Sequence, residues 1–387
     1  MDTTTFTESF KNIIDFRQPW KIKHKLIEII FIAVVATIAN SNNWVEVEIY
    51  AKDKIDWLRK FLPLENGVPS HDTFERVFEI LDSKAFNEAF INWTNTLTTN
   101  SKGRIIAIDG KTSRGSHDGK TGAIHIVNAW VDENNIILGQ LKTAKKSNEI
   151  TAIPELLDML FIKDAIITID AMGAQKKIAA KIIEKEADYV LALKGNHKIF
   201  SKEVKEYFEY TDTNEFEDIK YCKKTTLEQG HGRIEKREYI QTDDIDWFSE
   251  KHLWKNLTSI GMVKRTVTTK DKITNETFYY ISSLKTPETG ECDSFAKAVR
   301  NHWGVESCHY KDVPTGTSCF WILDVVFRED DSRVRKNNGA VNQSMLKKIA
   351  LNILKQEKVS EKKMSLKSKR YKASLNEDFL EGVIASI

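Results

Sequence analysis

Two short apolar segments decide the fold: IIAID at residues 105–109 and IITID at residues 166–170. Apolar, β-branched runs predict buried strands, and the small residues that follow, Gly110 and Ala171, predict a tight turn directly after each aspartate. If the two strands are neighbours, Asp109 and Asp170 lie side by side. Paired carboxylates supply the hard oxygen ligands that Mg²⁺ prefers, so we expect a metal site here.

The elements around these segments predict an α/β fold with a mixed sheet. The order is β-β-β-α-β-α-β-α, a meander that passes into right-handed crossovers with helices on the sheet faces. This order resembles the ribonuclease H core, in which the first and fourth strands are neighbours. Beyond residues 105–109 and 166–170, the predicted strands are 123–132, 136–143 and 188–194, and the predicted helices are 149–160, 174–186 and 199–208.

Changes of pattern along the chain predict five regions. The first is helical, because residues 26–40 are apolar almost all round and residues 70–81 carry a helical apolar face. Strand-like pieces after residue 209 predict a β-rich insertion, at 220–227, 233–241, 257–268 and 277–284. The regions are a helical N-terminal domain (1–100), the first part of the core (101–208), the insertion (209–291), a helical completion of the core (292–357) and a basic tail (358–387).

Composition excludes several classes of protein. The 387 residues are 41% apolar and 29% charged, which is typical of a folded globular chain. The four cysteines show no C-x-x-C spacing, which argues against a disulfide framework or zinc ribbon and favours the cytoplasm. The apolar run at 29–39 is too short to span a membrane. Net charge is only +2, but eight Lys/Arg against two Glu between Lys355 and Lys372 predict a tail that lies along phosphates or is simply solvated.

A two-metal site usually requires a third carboxylate. Glu306 is the best placed, because a predicted helix carries it after Arg300, His302 and Trp303, residues suited to phosphates and bases. The residues alone leave the choice open. The other candidates are Asp312, Asp324 and the acidic run 329–331.

Eight motifs, in order, resemble one family of insertion-sequence transposases, the ISAs-type or H-repeat-associated family. They are VPSHDTF (68–74), AIDGK (107–111), KSNEI (146–150), IDAMGAQ (169–175), ALKGNH (192–197), HGRIE (231–235), HWGVE (302–306) and FREDDSR (327–333). The resemblance runs from about Phe16 to the C-terminus. It implies a DDE transposase with a ribonuclease H-like catalytic domain and the triad Asp109, Asp170 and Glu306.

The resemblance also implies cofactors and partners. The triad would hold two Mg²⁺ ions, or Mn²⁺, and act on double-stranded DNA, at terminal inverted repeats and at a target, as a homodimer on DNA. A plain strand role for His231 and Arg233 is as open as a DNA role. The residues that we expect to contact DNA are Lys111, Lys194, His197, His231, Arg233, Arg300, His302, Trp303 and Arg333.

One segment departs from the family pattern. After His309 there are eleven extra residues, 310–320, before the pattern resumes at Trp321. Pro314 and Gly316 predict a bulging loop. The interruption begins four residues after Glu306, so three functions remain as hypotheses: a working transposase, a catalytically impaired DNA-binding relic, and a structure-selective nuclease on the same core.

Overall fold

The computed structural model describes residues 4–97, 102–117, 123–131, 136–143, 149–217, 219–230, 232–288, 290–306, 319–360 and 364–385. The strands are β1 Ile105–Thr112, β2 His125–Val131, β3 Ile136–Thr143, β4 Ile166–Ile169, β5 Asp188–Leu193, β6 Tyr221–Gly230, β7 Arg233–Thr242, β8 Ser259–Thr268 and β9 Ile273–Ser282. The helices are α1 Thr4–Phe10, α2 Leu26–Ile38, α3 Trp44–Asp53, α4 Ile55–Leu58, α5 His71–Ile80, α6 Ser83–Leu97, α7 Glu149–Met159, α8 Lys176–Glu184, α9 Lys198–Thr213, α10 Asp293–Glu306, α11 Cys319–Val325, α12 Gly339–Gln356, α13 Leu366–Leu375 and α14 Glu377–Ala385.

The N-terminal region is helical, as predicted. Helix α2 is buried from Glu28 onward, which explains why its sequence is apolar almost all round. Helix α5 buries Phe74, Val77 and Phe78, the face that the spacing predicts. Both helices pack against α12, which is buried along nearly its whole length, so α12 joins the N-terminal helices to the sheet.

The strands form one nine-stranded sheet in the order β3-β2-β1-β4-β5-β9-β8-β7-β6. Strand β1 pairs antiparallel with β2 and parallel with β4, and β4 pairs parallel with β5. The predicted neighbourhood of the first and fourth strands is therefore confirmed, and so is the ribonuclease H-like fold class. The strands of the β-rich region extend this same sheet, because β9 pairs antiparallel with β5.

Strand β1 is longer than predicted. The sequence predicts a turn at Gly110, but Gly110 pairs with Val127 and the strand continues to Thr112. A Cβ at Gly110 would collide with the side chains of Glu149 and His125, so the glycine serves a close approach inside the strand. The second turn is correctly predicted, since β4 ends at Ile169 and a turn follows Asp170.

The prediction of a tail from residue 358 is wrong, because helices α13 and α14 occupy most of this segment. The Arg370 side chain is 1% exposed. Its guanidinium donates to the carbonyl oxygens of Thr37 (2.9 Å) and Ser41 (3.3 Å) and lies 4.4 Å from the Phe327 ring centroid. Phe379 and Val383 of α14 are also buried. These contacts dock the segment on the N-terminal helices.

None of the helices in the described ranges combines the length and the hydropathy that a membrane-spanning segment requires.

Candidate active site

Asp109 and Asp170 lie at the same level of two adjacent strands. The parallel register pairs Ile108 with Ile169, so each aspartate is the next residue along its chain. Both residues are partly buried. The Gly110 amide donates to Asp109 Oδ1 (2.7 Å), and the amides of Met172 and Gly173 donate to Asp170 Oδ1 (both 3.1 Å). These backbone bonds fix both carboxylates directly after the last residue pair of the β1–β4 ladder, Ile108 and Ile169.

Helix α10 crosses the face of the sheet that carries Asp109. Its Phe295 and Val299 belong to one apolar cluster with Ile105 and Ile166, near the start of β1 and β4. Further along α10, buried His302 shares a hydrogen bond with Thr168 (3.2 Å between Nδ1 and Oγ1). The helix therefore runs in the same direction as β1 and β4.

This direction fixes the backbone position of Glu306, the last residue of α10. Four residues beyond His302 advance the helix by about 6 Å, and two residues beyond Thr168 advance a strand by about 6.6 Å. The α10 backbone thus ends at about the level of Asp109 and Asp170.

Lys111 lies two residues beyond Asp109, on the same face of β1, and its ammonium is held inside the protein. Lys111 Nζ donates to Asp324 Oδ1 of α11 and to Glu329 Oε2 (2.5 Å). The Lys111 side chain is 12% exposed and that of Glu329 is 4% exposed. The Lys111 ammonium is thus bound to two carboxylates and is not presented to solvent. The predicted contact between Lys111 and a DNA phosphate does not fit this arrangement.

Charge and burial set the pKa values in this cluster. Burial alone would raise the pKa of Glu329, but Lys111, Lys348 and Lys347 outweigh it and lower that pKa to about 2. Burial would lower the pKa of Lys111, and the carboxylates of Glu329 and Asp324 reverse this and raise it. For Asp324, burial and repulsion from neighbouring acids prevail over Lys111, and its pKa is raised. Glu329 is therefore the firmer partner of Lys111.

A polar row crosses the sheet beside Asp109. Asp109 pairs with Asn128 of β2, and Asn128 pairs with Gln140 of β3, so the three side chains share one face. Lys348 of α12 is 1% exposed, and its ammonium donates to Asn128 Oδ1 (2.5 Å) and Gln140 Oε1. Ser344 Oγ, one turn earlier, donates to Glu329 Oε1 (2.5 Å). The row thus connects with the Lys111 cluster.

The opposite face of β1 carries a second buried pair. His125 Nε2 contacts Glu149 Oε1, and Thr112 Oγ1 lies 2.9 Å from His125 Nδ1. Both side chains lie against Gly110, where a Cβ would strike them. Strand β1 is therefore fixed from both sides at the level of Asp109.

Most of the other candidates for a third carboxylate already have partners within the protein. Asp324 and Glu329 are bound to Lys111, and Asp330 accepts the Arg114 amide (3.1 Å). Asp331 pairs with Arg328 at the surface (2.8 Å), and Asp312 lies outside the described residues. In the described part of the chain, no group of three or more His, Cys, Asp or Glu side chains is gathered for a metal.

The residues expected to contact DNA do not form one surface. Lys194 and Arg333 are exposed, whereas His302 is buried under α10. His197 Nε2 lies 2.6 Å from the Ala174 carbonyl oxygen, a contact that ties two loops together. His231 lies outside the described residues.

The remaining three expected DNA contacts lie at the extended half of the sheet. Arg300 donates to both carboxylate oxygens of Glu228 (3.1 and 3.2 Å). Arg233 Nη2 lies 3.7 Å from Glu235 Oε2. The Trp303 ring packs against the guanidinium groups of Arg237 and Arg265, at 5.6 and 5.8 Å from its centroid. Trp303 therefore connects α10 to strands β7 and β8.

Sequence reasoning missed Lys348, Asn128, Gln140 and the His125–Glu149 pair. A signal for Lys348 was present, because the polar residues Ser344, Lys348 and Asn352 recur every four residues along α12. No comparable signal existed for the pair, whose members meet only through the sheet register and the start of α7.

The strand order β3-β2-β1-β4-β5, with β1 antiparallel to β2 and parallel to β4, defines the ribonuclease H-like class of fold. The family described as "Transposase DDE domain" matches residues 100–353, and the one described as "DDE_Tnp_1-associated" matches residues 7–94. The chain belongs to the DDE transposase family.

Relatives over nearly the whole chain agree with this. The chain is 42% identical to "Putative transposase YncI" of Escherichia coli O157:H7, over 97% of this chain and 93% of that protein. It is 38% identical to "H repeat-associated putative transposase YhhI" of Escherichia coli K12, over 100% of this chain and 99% of that protein. A solved piggyBac transposase synaptic complex with hairpin DNA aligns at a TM-score of 0.41 and 12% identity, over 97% of this chain and 77% of that one.

Proposed function

We propose that this chain cuts and joins the ends of an insertion sequence, with Asp109, Asp170 and Glu306 as its metal-binding triad. The observation that carries the proposal is the parallel register of β1 and β4, which brings the two aspartates side by side. The direction of α10, whose backbone ends at the same level, supports Glu306 as the third member.

The donor set fits a hard divalent cation. Both aspartates offer carboxylate oxygen, the ligand type that Mg²⁺ and Mn²⁺ prefer, and two adjacent negative charges favour a cation between them. Two ions bound here would activate the attacking oxygen and stabilise the departing one in a phosphoryl transfer. The backbone amides at Asp109 and Asp170 hold the two carboxylates in place for this role.

The other residues position DNA in this proposal. Exposed Lys194 and Arg333 would neutralise backbone phosphates near the site, and Arg300 would do so after leaving Glu228. We assign recognition of the terminal inverted repeats to the N-terminal helical region, with Arg233 and His231 of the extended sheet as further contacts. The reaction requires two DNA ends, so we propose a homodimer on DNA that acts in the cytoplasm.

The test uses labelled duplexes copied from the DNA that flanks the gene, incubated with the purified chain and Mg²⁺ or Mn²⁺. We expect strand cleavage followed by joining to a target duplex. Asp109→Asn and Asp170→Asn should each lower cleavage at least about 100-fold, because a neutral amide is a far weaker ligand for a hard divalent cation than a carboxylate, and a poorly held metal misplaces the reacting atoms. Asp246→Asn, at a side chain that is 95% exposed, is the matched control and should cut like the parent.

Metal binding provides a second readout. A ligand that binds only the folded state adds about 2.7 kcal/mol of stability at one hundred times its Kd, so Mn²⁺ should raise the Tm of the parent. The two aspartate variants should lose this gain, and Asp246→Asn should keep it. A variant that responds to Mn²⁺ as the parent does would remove that aspartate from the site.

The same assay separates the two other hypotheses. Binding to the flanking duplex without cleavage would identify a DNA-binding relic. Cleavage of branched or hairpin DNA without strand transfer would identify a structure-selective nuclease.

A further inference from the structure

Along the chain, α10 precedes and α11 follows most of the segment that interrupts the family pattern. Helix α10 ends at Glu306 and α11 begins at Cys319, so the last two residues of the predicted loop, Cys319 and Phe320, are helical. The rest of the interruption lies outside the described residues. The two helices pack against each other, and α11 also packs against α12. The chain therefore returns beside the helix that it left.

Each side of the interruption has its own polar anchor to the strands of the site. On the α10 side, His302 bonds to Thr168 of β4, two residues before Asp170. On the α11 side, Asp324 bonds to Lys111 of β1, two residues after Asp109. Glu329, just beyond α11, bonds to the same ammonium. The two anchors lie on the two strands that carry the two aspartates.

The Lys111 anchor is unusually well enclosed for an ion pair. Glu329 is nearly inaccessible, and its second oxygen accepts from Ser344 of α12. Removing such charges from water is expensive, so a buried ion pair stabilises a fold little more than a well-packed apolar contact would, although removing one partner alone is costly. The best-attested contribution of such a pair is a specified geometry. An apolar side chain at position 111 would fill the space, but it would not fix where α11 lies relative to β1.

We propose that Lys111 is a positioning residue, which clamps Asp324 and Glu329 to β1 and so holds the α10–α11 pair in register with Asp109 and Asp170. This inference rests on the proposed function, because it assigns the α10 end to the same site. The clamp explains how eleven extra residues are accommodated: both flanking helices are fixed, so the additional length does not displace the end of α10.

The test separates positioning from phosphate binding by comparing rate with affinity. In Lys111→Met, the cleavage rate at saturating duplex should fall about 10–100-fold, as for residues that orient metal ligands, with the duplex Kd and its salt dependence unchanged. Lys111→Arg should recover part of the rate, because its guanidinium still engages two carboxylates. The control is Lys194→Met, at an exposed lysine, which should make the negative slope of log K against log salt shallower by about 0.9.

Asp324→Asn is the milder variant if Lys111→Met does not fold, because the Asp324 side chain is 32% exposed. Amide hydrogen exchange supplies a readout that requires no DNA: α11 amides should exchange faster in either variant, and α9 amides should not change. Unchanged α11 exchange, or an unchanged cleavage rate with a reduced salt slope, overturns the proposal. A parent that cuts no duplex overturns the proposed function, and α11 exchange then decides the clamp alone.

Discussion

Two ion-pair groups, one at each half of the sheet, use the same chemistry in different surroundings. At β1, Lys111 and Glu329 have side chains that are 12% and 4% exposed. At β6, Arg300 and Glu228 have side chains that are 37% and 47% exposed. Coulomb attraction between charges is weak in water and strong in a protein interior, so the first group is fixed and the second exchanges readily with solvent.

This difference suggests a division of labour. The inner group, Lys111 with Glu329, lies beside the proposed metal site, where a rigid geometry is needed. The outer group is Arg300 with Glu228. The contact between these two side chains can break at little cost, so a DNA phosphate can replace Glu228 as the partner of Arg300. Burial therefore decides which charges shape the site and which ones remain available to a substrate.

The strongest test of the comparison is the acid stability of the inner group. The pKa of Glu329 is lowered to about 2 from 4.5, so its stabilising contribution is complete above pH 4.5 and is lost as the pH falls towards 2. Up to about 3 kcal/mol of unfolding free energy depends on this titration. Urea unfolding between pH 7 and pH 2 should show a steeper loss in the parent than in Glu329→Gln.

Other lowered carboxylates, such as Glu48, titrate in both proteins, so the difference between the two curves isolates Glu329. Parallel curves for parent and variant would mean that the inner group carries no more weight than a surface pair.

A smaller effect is expected from the other face of β1. In Gly110→Ala the new methyl group would meet Glu149 and His125, which are both buried. Overpacking of this kind costs about 1–3 kcal/mol, measured as a shift in the urea midpoint at constant m-value. Gly195→Ala is the matched control, because no described heavy atom lies within 4 Å of its added Cβ. Equal stability of the two variants would show that the side chains of His125 and Glu149 move aside at little cost.

The sequence predicts strands β1 to β5 well, because they are apolar runs bounded by turns. The IIAID and IITID segments become β1 and β4, and their register follows from the strand order. Gly110 is misjudged for a physical reason: glycine marks both turns and close approaches, and only the fold brings Glu149 and His125 against it.

The C-terminal segment is misjudged because charge density conceals its packing. Of the eight basic residues between Lys355 and Lys372, Arg370 is buried and Lys369 bonds to the Leu354 carbonyl oxygen (3.0 Å) and to Glu357 (2.6 Å). Lys372 lies 4.6 Å from the Phe379 ring centroid. A pattern of charges cannot identify such partners, since the packing of α13 against α2, α12 and α14 brings them together.

The smallest expected effect concerns the outer group. Arg300→Gln should change the unfolding free energy by less than about 1 kcal/mol, because exposed pairs contribute little. Glu228 also pairs with Arg237 Nη1 (3.1 Å), whose side chain is 5% exposed, so Glu228→Gln should cost more stability than Arg300→Gln. Their effects on DNA should be opposite. Arg300→Gln should make the negative slope of log K against log salt shallower by about 0.9, whereas Glu228→Gln, which releases Arg300, should tighten duplex binding. If Arg300→Gln lowered the unfolding free energy as much as Glu329→Gln, burial would not be what distinguishes the two groups.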